Sequence, residues 1–429
     1  MNDVLEAWIA REYKIASHRL LAAVSPVALT YRRAPFDQTM TVREGAVLAS
    51  TVPGAYDPDP DYFFHWLRDS AIAIDAVRVL AEDAAIANGP GLIDQFVRFS
   101  LGLNALDGAG IARWDRSRVA PTHVQFLRPP EELAALRGDA VPAEARFNPD
   151  GTLDILLWAR PQHDGPALRA LALLRAWPLM SEGRRAPMSE LLRQDLTFVE
   201  RQWERPSFDI WEEDLGTHYY TQLVQAAALK DGSLWLALME DEDGAQRLSA
   251  AAEKAFEGLE AFWDPMRRIL RAHLGPETEK DLDSAVVLGV LHAARAAGPH
   301  SAEDTRVEAT LDRLAEMFAA ELPINRVHRA APALGRYRTD AYYGGGAWYI
   351  ATLAAAELHF ELAAARASKE HLKRGDAFLE TVRAFTPEDG ALSEQIDRTS
   401  GSQISAKHLT WSYAGFITAH AARKRAQTL

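Results

Sequence analysis

The chain alternates between two kinds of apolar segment, and this alternation limits its possible folds more than any other feature. Segments of the first kind are apolar on nearly every face: Ala71 to Ala81, Ala167 to Trp177, Ala285 to Ala297, Ala347 to Leu358 and Ser412 to Ala422. A helix without a polar face has to be enclosed by protein. Segments of the second kind carry a one-sided stripe. Between Asp304 and Leu322, apolar residues recur at Val307, Leu311, Leu314, Phe318 and Leu322, in steps of three or four. Between Asp243 and Trp263, Leu248, Ala252, Ala255, Leu259 and Phe262 do the same. Such helices bury one face and leave the other in water.

The enclosed helices are expected to begin near residues 66, 164, 216, 281, 345 and 405, the segment from 216 being the least clear. Striped helices are expected near 92, 190, 243, 304 and 367, and the first ~25 residues supply a sixth. Six inner helices alternating with six outer ones describe an all-α fold, a closed (α/α)6 toroid or barrel. An open helical solenoid is the alternative that the same pattern permits. Against it, no motif repeats, and the unusual polar and aromatic residues cluster ahead of the inner helices, positions that a ring brings to one end. The first interval is the longest. It holds a proline-rich, charged stretch, Leu106 to Asp154, read as long loops with short strands. No Pro/Gly/Ser linker divides the chain, so residues 1–429 are expected to form a single catalytic domain.

Composition removes several function classes. There is no cysteine among 429 residues, which excludes disulfides, thiolate metal sites and cysteine nucleophiles. A net charge of −13 with both signs interspersed offers no basic face for nucleic acid or an anionic membrane. The first twenty residues have charges spread through them and no apolar core, unlike a secretory signal. No run approaches the ~18 apolar residues of a membrane span. A cytoplasmic location is expected. Nothing in the sequence specifies an oligomeric state.

The chemistry concentrates in the loops that feed the inner helices: Asp61 to Ser70, Trp158 to Arg169, Phe208 to Asp214, Gly335 to Tyr349 and Leu392 to Tyr413. Each mixes Trp or Tyr with Arg, Asp or Glu, a combination suited to a sugar, whose ring has apolar faces and a rim of hydroxyls. Neither a zinc-binding HExxH nor a phosphate loop occurs, and no nucleophile elbow of the G-x-S-x-G type. Carboxylates remain, and a pair of them suffices to hydrolyse a glycosidic bond without metal or cofactor. Glu212 lies between apolar Trp211 and acidic Glu213, neighbours that disfavour ionisation and suit an acid. Glu394 lies in the polar run Ser393-Glu394-Gln395, which suits a base.

These same stretches closely resemble the glucoamylase family, glycoside hydrolase family 15, over roughly Gly45 to Ala422. The blocks DPDYFFHWLRDSA, RPQHDGPALRA, FDIWEE, GRY…D.YYGG..WY and LSEQ.DR.SG..ISA..LTWSYA stand in the family's order. The resemblance implies an (α/α)6 barrel and an inverting exo-α-glucosidase acting on α-1,4-linked glucans, with no cofactor. It implies Glu212 as general acid and Glu394 as general base. It also implies substrate contacts for Arg68 and Asp69 (terminal glucose), Arg336, Glu213 beyond the scissile bond, and Tyr62 and Trp411 beside the hydrolytic water. Trp158 and Trp348 would be aromatic walls, with Arg160 alongside Trp158, and Trp66 and Trp211 would also bind substrate.

The sequence departs from the family at His65 and His163, near the expected pocket, and carries neither a starch-binding module nor an N-terminal β-sandwich. Hydrolysis of α-1,6-glucans or trehalose stays open, as does a non-catalytic saccharide-binding module. A barrel lyase or epimerase would need a histidine or tyrosine base in the pocket, for which His65 and His163 are the candidates.

Overall fold

The computed structural model describes residues 3–54, 58–327 and 329–428. The ends of the expected domain, Met1, Asn2 and Leu429, lie outside them. Its helices are α1 (Asp3–Ala23), α2 (Leu67–Glu82), α3 (Gly89–Asn104), the short α4 (Pro130–Ala135), α5 (Asp164–Ala176), α6 (Glu182–Gln202), α7 (Tyr219–Leu238), α8 (Glu242–Leu259), α9 (Ala285–Ala293), α10 (Thr305–Glu321), α11 (Tyr349–Arg366), α12 (Lys369–Phe385) and α13 (Thr410–Gln427).

The inner helices α2, α5, α7, α9, α11 and α13 each pack on the next, and α13 returns to α2. That last contact closes the ring and rules out the open solenoid. Outer helices cover them in alternation: α3 on α2, α6 on α5, α8 on α7, α10 on α9, α12 on α11 and α1 on α13.

Burial follows the two sequence patterns. In α11, residues Tyr349 to Ala356 are buried without interruption, whereas α10 buries one side, Val307, Thr310, Leu311, Leu314, Met317 and Phe318, and leaves Arg313 and Glu316 exposed. The segment near 216, the least clear in sequence, is also enclosed: α7 buries Tyr219, Tyr220, Leu223, Val224 and Leu229. Side-chain caps fix several outer starts, Asp241 accepting from the Gly244 N–H, Asp304 from Arg306 and Ser368 from His371. A buried ion pair ties α5 to α6, with Arg169 Nη2 2.6 Å from Asp195 Oδ1.

Three details differ from the sequence reading. Helix α9 stops at Ala293 rather than Ala297, because Ala294 takes a left-handed conformation (φ +48°) and closes the last turn with a bond to the Val290 carbonyl. A hairpin, Thr30–Arg33 with Gln38–Thr41, precedes the first inner helix and has no counterpart in the periodicity. The Leu106–Asp154 stretch contains single 3-10 turns, α4 and one two-residue strand, Arg146–Phe147, that pairs with His65–Trp66. It encloses a second apolar cluster that includes Phe36, Phe63, Phe64, Phe147, Leu153 and Leu156, directly under the segment entering α2.

Short strands occupy the entrances to several inner helices. Ala347–Trp348, ahead of α11, pairs with Gln395–Ile396, which pairs in turn with Gln403–Ile404. Gly345 makes the approach possible: it has φ +68°, and a Cβ there would sit 1.9 Å from the Asp340 carbonyl oxygen. Loops distant in sequence are thereby tied together at one end of the barrel. Among the described residues, no helix is long and apolar enough to cross a membrane.

Candidate active site

At that end lies a cavity of about 240 Å3, lined by Tyr62, Trp66, Arg68, Asp69, Trp158, Ile210, Trp211, Glu212, Glu213, Arg336, Tyr342, Trp348, Glu394, Leu409 and Trp411. Its walls come from five separate loops, each held by its own local chemistry.

The loop ahead of α7 presents two adjacent carboxylates. The Asp209 side chain accepts from the N–H groups of Glu213 and Asp214 (2.6 and 3.0 Å), and its carbonyl accepts from the Glu212 N–H (3.0 Å). This tight turn holds Glu212 at φ +67°, a left-handed conformation that a side chain adopts only when its surroundings impose it. Glu212 Oε1 then accepts from Trp66 Nε1, Arg68 Nη2 and Gln162 Nε2, each at 2.9 Å, while Oε2 accepts from Trp158 Nε1. All four partners donate, so both oxygens act as acceptors.

The aromatic walls are braced from behind. The buried Arg146 guanidinium lies 3.6 Å from the Trp158 ring centroid and 4.9 Å from that of Trp66, and pairs with Asp154 at 2.8 Å. Trp211 donates to both oxygens of Asp283 (3.0 and 2.9 Å) and packs on Trp348 with ring centroids 5.3 Å apart. Burial pushes the Asp283 carboxyl up to about 8.

Glu394 lines the same cavity and is buried, its N–H bonded to the Ala406 carbonyl in the segment before α13. Ser405 donates to its Oε2, and the Tyr62 hydroxyl also bonds to it. The Tyr342 hydroxyl lies 2.9 Å from that of Tyr62, completing a chain of three hydroxyls and one carboxyl. Burial pushes Glu394 up to about 7, against the hydrogen bonds from Ser405 and Tyr62. Asp69 also rises to about 7 through burial, despite the neighbouring Arg68.

Glu213 has a different environment. Burial opposes its charge, but Arg336, Lys280 and Tyr337 together hold it below the usual carboxylate range. Arg336 Nη2 reaches Glu213 Oε1 at 2.9 Å, and the same guanidinium pairs with Asp340. Arg68 is likewise shared, between Asp164 (2.7 Å) and Glu212.

Residues 144–373 and 369–421 match the family model described as Glycosyl hydrolases family 15. The chain belongs to this family. Among curated relatives, it is 27% identical to a probable glucoamylase of Schizosaccharomyces pombe, over 88% of this chain and 84% of the relative. It is 25% identical to the intracellular sporulation-specific glucoamylase of Saccharomyces cerevisiae, over 99% and 85% respectively. A family 15 glucoamylase from Hypocrea jecorina superimposes with a TM-score of 0.80 at 26% identity, covering 98% of this chain and 72% of the other. The Saccharomycopsis fibuligera glucoamylase shares the fold, with a TM-score of 0.81 over 99% of this chain and 96% of that one, at 23% identity.

In this family 15 hydrolase, the cavity gathers nearly every residue singled out from sequence: Tyr62, Trp66, Arg68, Asp69, Trp158, Trp211, Glu212, Glu213, Arg336, Trp348, Glu394 and Trp411. Arg160 stands apart. Its guanidinium is committed to Glu144 (2.6 Å) and Asp154 (3.0 Å), where it braces the loop that carries Trp158 rather than lining the cavity. The sequence neighbours invoked for Glu212 also act elsewhere, Trp211 on Asp283 and Glu213 on Arg336 and Lys280. Glu394, expected in polar surroundings, is enclosed.

Sequence reasoning missed Gln162 and Tyr342. Both lay inside motifs that drew notice, R-P-Q and Y-Y-G-G, but neither residue type announces a role without its partner in view. His65 and His163 do not line the cavity. His65 Nδ1 accepts from the Val47 N–H (2.9 Å), and its ring packs on Phe99, while His163 packs on Phe198. A lyase base drawn from either is therefore misplaced.

Proposed function

We propose that this family 15 hydrolase is an inverting exo-α-glucosidase, releasing glucose from the non-reducing end of soluble α-1,4-linked glucans. One observation carries the reading: Glu212 and Glu394, from loops 182 positions apart in sequence, face a single hollow walled by indoles. At about 240 Å3 the hollow falls below the ~300–1,000 Å3 typical of drug-sized ligands, which suits one terminal sugar unit. The names of the relatives support a glucan as substrate. The whole chain acts as one catalytic domain with no cofactor, and the cytoplasm is the location we infer, in line with the intracellular yeast relative.

In this mechanism Arg68, Asp69 and Arg336 grip the hydroxyls of the terminal glucose, while Trp66, Trp158, Trp211 and Trp348 enclose its apolar faces. Glu212 protonates the bridging oxygen. To do so it must exchange a donor for an acceptor, and the glycosidic oxygen is the acceptor that the sugar brings. Arg68 is the donor best placed to leave, since the same guanidinium would turn to the substrate. Glu394 takes a proton from water on the opposite face, with Tyr62 and Ser405 orienting the carboxylate and Trp411 bounding the water.

Inversion fixes the product. The glucose cut from the non-reducing end of maltose is expected as the β-anomer, seen by NMR within the first minutes before mutarotation. Initial α-glucose in excess of the share that the reducing-end half of maltose already carries would contradict the mechanism. A parallel panel of isomaltose, trehalose and panose sets the linkage preference, and maltose is expected to be consumed fastest.

The pH dependence follows from Glu394. The productive state carries one proton between the two carboxyls, whichever of them holds it in the empty site. Burial lets Glu394 hold a proton, which it loses as pH rises through about 7. The value of kcat/KM on maltose is therefore expected to fall about tenfold per unit above roughly pH 7. Ser405→Ala, which removes a donor to the ionised form, moves this limb to higher pH. A limb that stays put in the variant would detach it from Glu394.

A further inference from the structure

Behind the loop Asp209–Asp214 lies a second hollow of about 610 Å3, more than twice the volume of the active-site cavity. Its lining includes Asp214, His218, His273, Thr278, Lys280 and Thr339, and it shares Ile210 and Trp211 with that cavity. The loop stands between the two hollows, and Lys280 bridges its acids: Nζ bonds to Glu213 Oε2, which lines the active-site cavity (2.8 Å), and to Asp214, which lines the cleft.

The position of Lys280 is chemically specific. An ammonium group has three donors, and two are committed to these carboxylates. The third is left for a ligand, and the side chain remains 29% exposed. Nζ also lies 5.0 Å from the Tyr337 ring centroid, and the Tyr337 hydroxyl bonds to Glu213 as well. Burial works against the charge, but the bonds to Asp214 and Glu213 hold the ammonium above the ordinary lysine range. The cleft combines apolar walls with Asp209, Asp214 and Glu279 set against this single lysine. A phosphorylated or otherwise anionic ligand is disfavoured there, and a neutral, hydroxyl-rich one fits.

We propose that Lys280 contacts the sugar beyond the scissile bond and directs the rest of an α-glucan chain into the 610 Å3 cleft, so that it sets the preference for chain length. The proposal rests on the hydrolase reading above and adds a residue and a direction of exit to it. A chain leaving past Glu213 meets the free donor of Lys280 first. It then runs along hydroxyl and imidazole groups such as the Thr278–His273 pair, whose Oγ1 and Nε2 are 2.9 Å apart.

The test compares Lys280→Met, which keeps the stem and loses the donors, with Lys280→Arg, which keeps the charge. The value of kcat/KM is measured on maltose through maltoheptaose and on α-glucosyl fluoride, which has no sugar beyond the cleaved bond. Lys280→Met is expected to lose about tenfold more on maltoheptaose than on the fluoride, the size of one charge-assisted hydrogen bond. The gain with chain length should flatten, and Lys280→Arg should recover most of it. Melting temperatures of both variants check the fold.

An equal loss on the fluoride and the heptaose would overturn the proposal, because Lys280 would then act only by holding Glu213. Unchanged kinetics on every substrate would overturn it too. A wild-type protein inert on all of them would sink the hydrolase reading itself, a result separable from either outcome.

Discussion

Glu212→Gln is expected to lower kcat/KM on maltose by about 10²–10⁴-fold while sparing a far larger fraction of the activity on α-glucosyl fluoride. The two substrates differ in what they ask of the acid. A sugar alkoxide is a poor leaving group and needs a proton as the bond breaks, whereas fluoride departs as a stable anion without one. The amide is nearly isosteric with the carboxyl, and its oxygen can still accept from Trp66, Arg68 and Gln162. Only the contact with the Trp158 N–H becomes donor against donor, a local cost that leaves the barrel untouched. Equal losses on both substrates would mean that Glu212 does not deliver the proton. Equal retention on both would exclude it from the reaction.

Glu394→Gln is expected to remove activity on both substrates by a similar factor, about 10²–10⁴-fold. Water must lose a proton to attack the anomeric carbon whatever the leaving group, so a better leaving group brings no rescue. The neighbours tolerate the change: the Ser405 hydroxyl can rotate to accept from the amide, and Tyr62 can still donate to the amide oxygen. An unaltered melting temperature would tie the loss to chemistry rather than folding. Rescue on the fluoride by this variant, but not by Glu212→Gln, would exchange the roles of the two residues.

These predictions depend on partners that no linear motif displays. W-E-E and S-E-Q are short, and their sequence neighbours mislead. Trp211 turns its N–H to Asp283, and Glu213 is matched by Arg336 and Lys280, so the polar groups of both neighbours are committed elsewhere. What surrounds Glu212 comes instead from Trp66, Trp158, Gln162 and Arg68, up to 146 positions away. Glu394 sits among polar residues in sequence, yet folding encloses it, and burial moves its proton affinity the opposite way. Arg160 illustrates the reverse error. It neighbours a cavity residue, but two buried acids claim its guanidinium before a sugar could.

The helices were legible because periodicity is a local property. A helix wrapped by protein must be apolar on all faces, and one at the surface on a single face, so the chain writes inner and outer layers directly into its spacing. The loops that carry the chemistry were legible as well, because aromatic and charged residues rarely crowd together at successive helix starts without a shared ligand. Closure of the ring, by contrast, required α13 to meet α2, a contact between the last helix and the second that no periodicity encodes. The protonation states and hydrogen-bond partners were decided at the same level. They depend on which distant groups are enclosed together, because burial and neighbouring charge act through space and are indifferent to order along the chain.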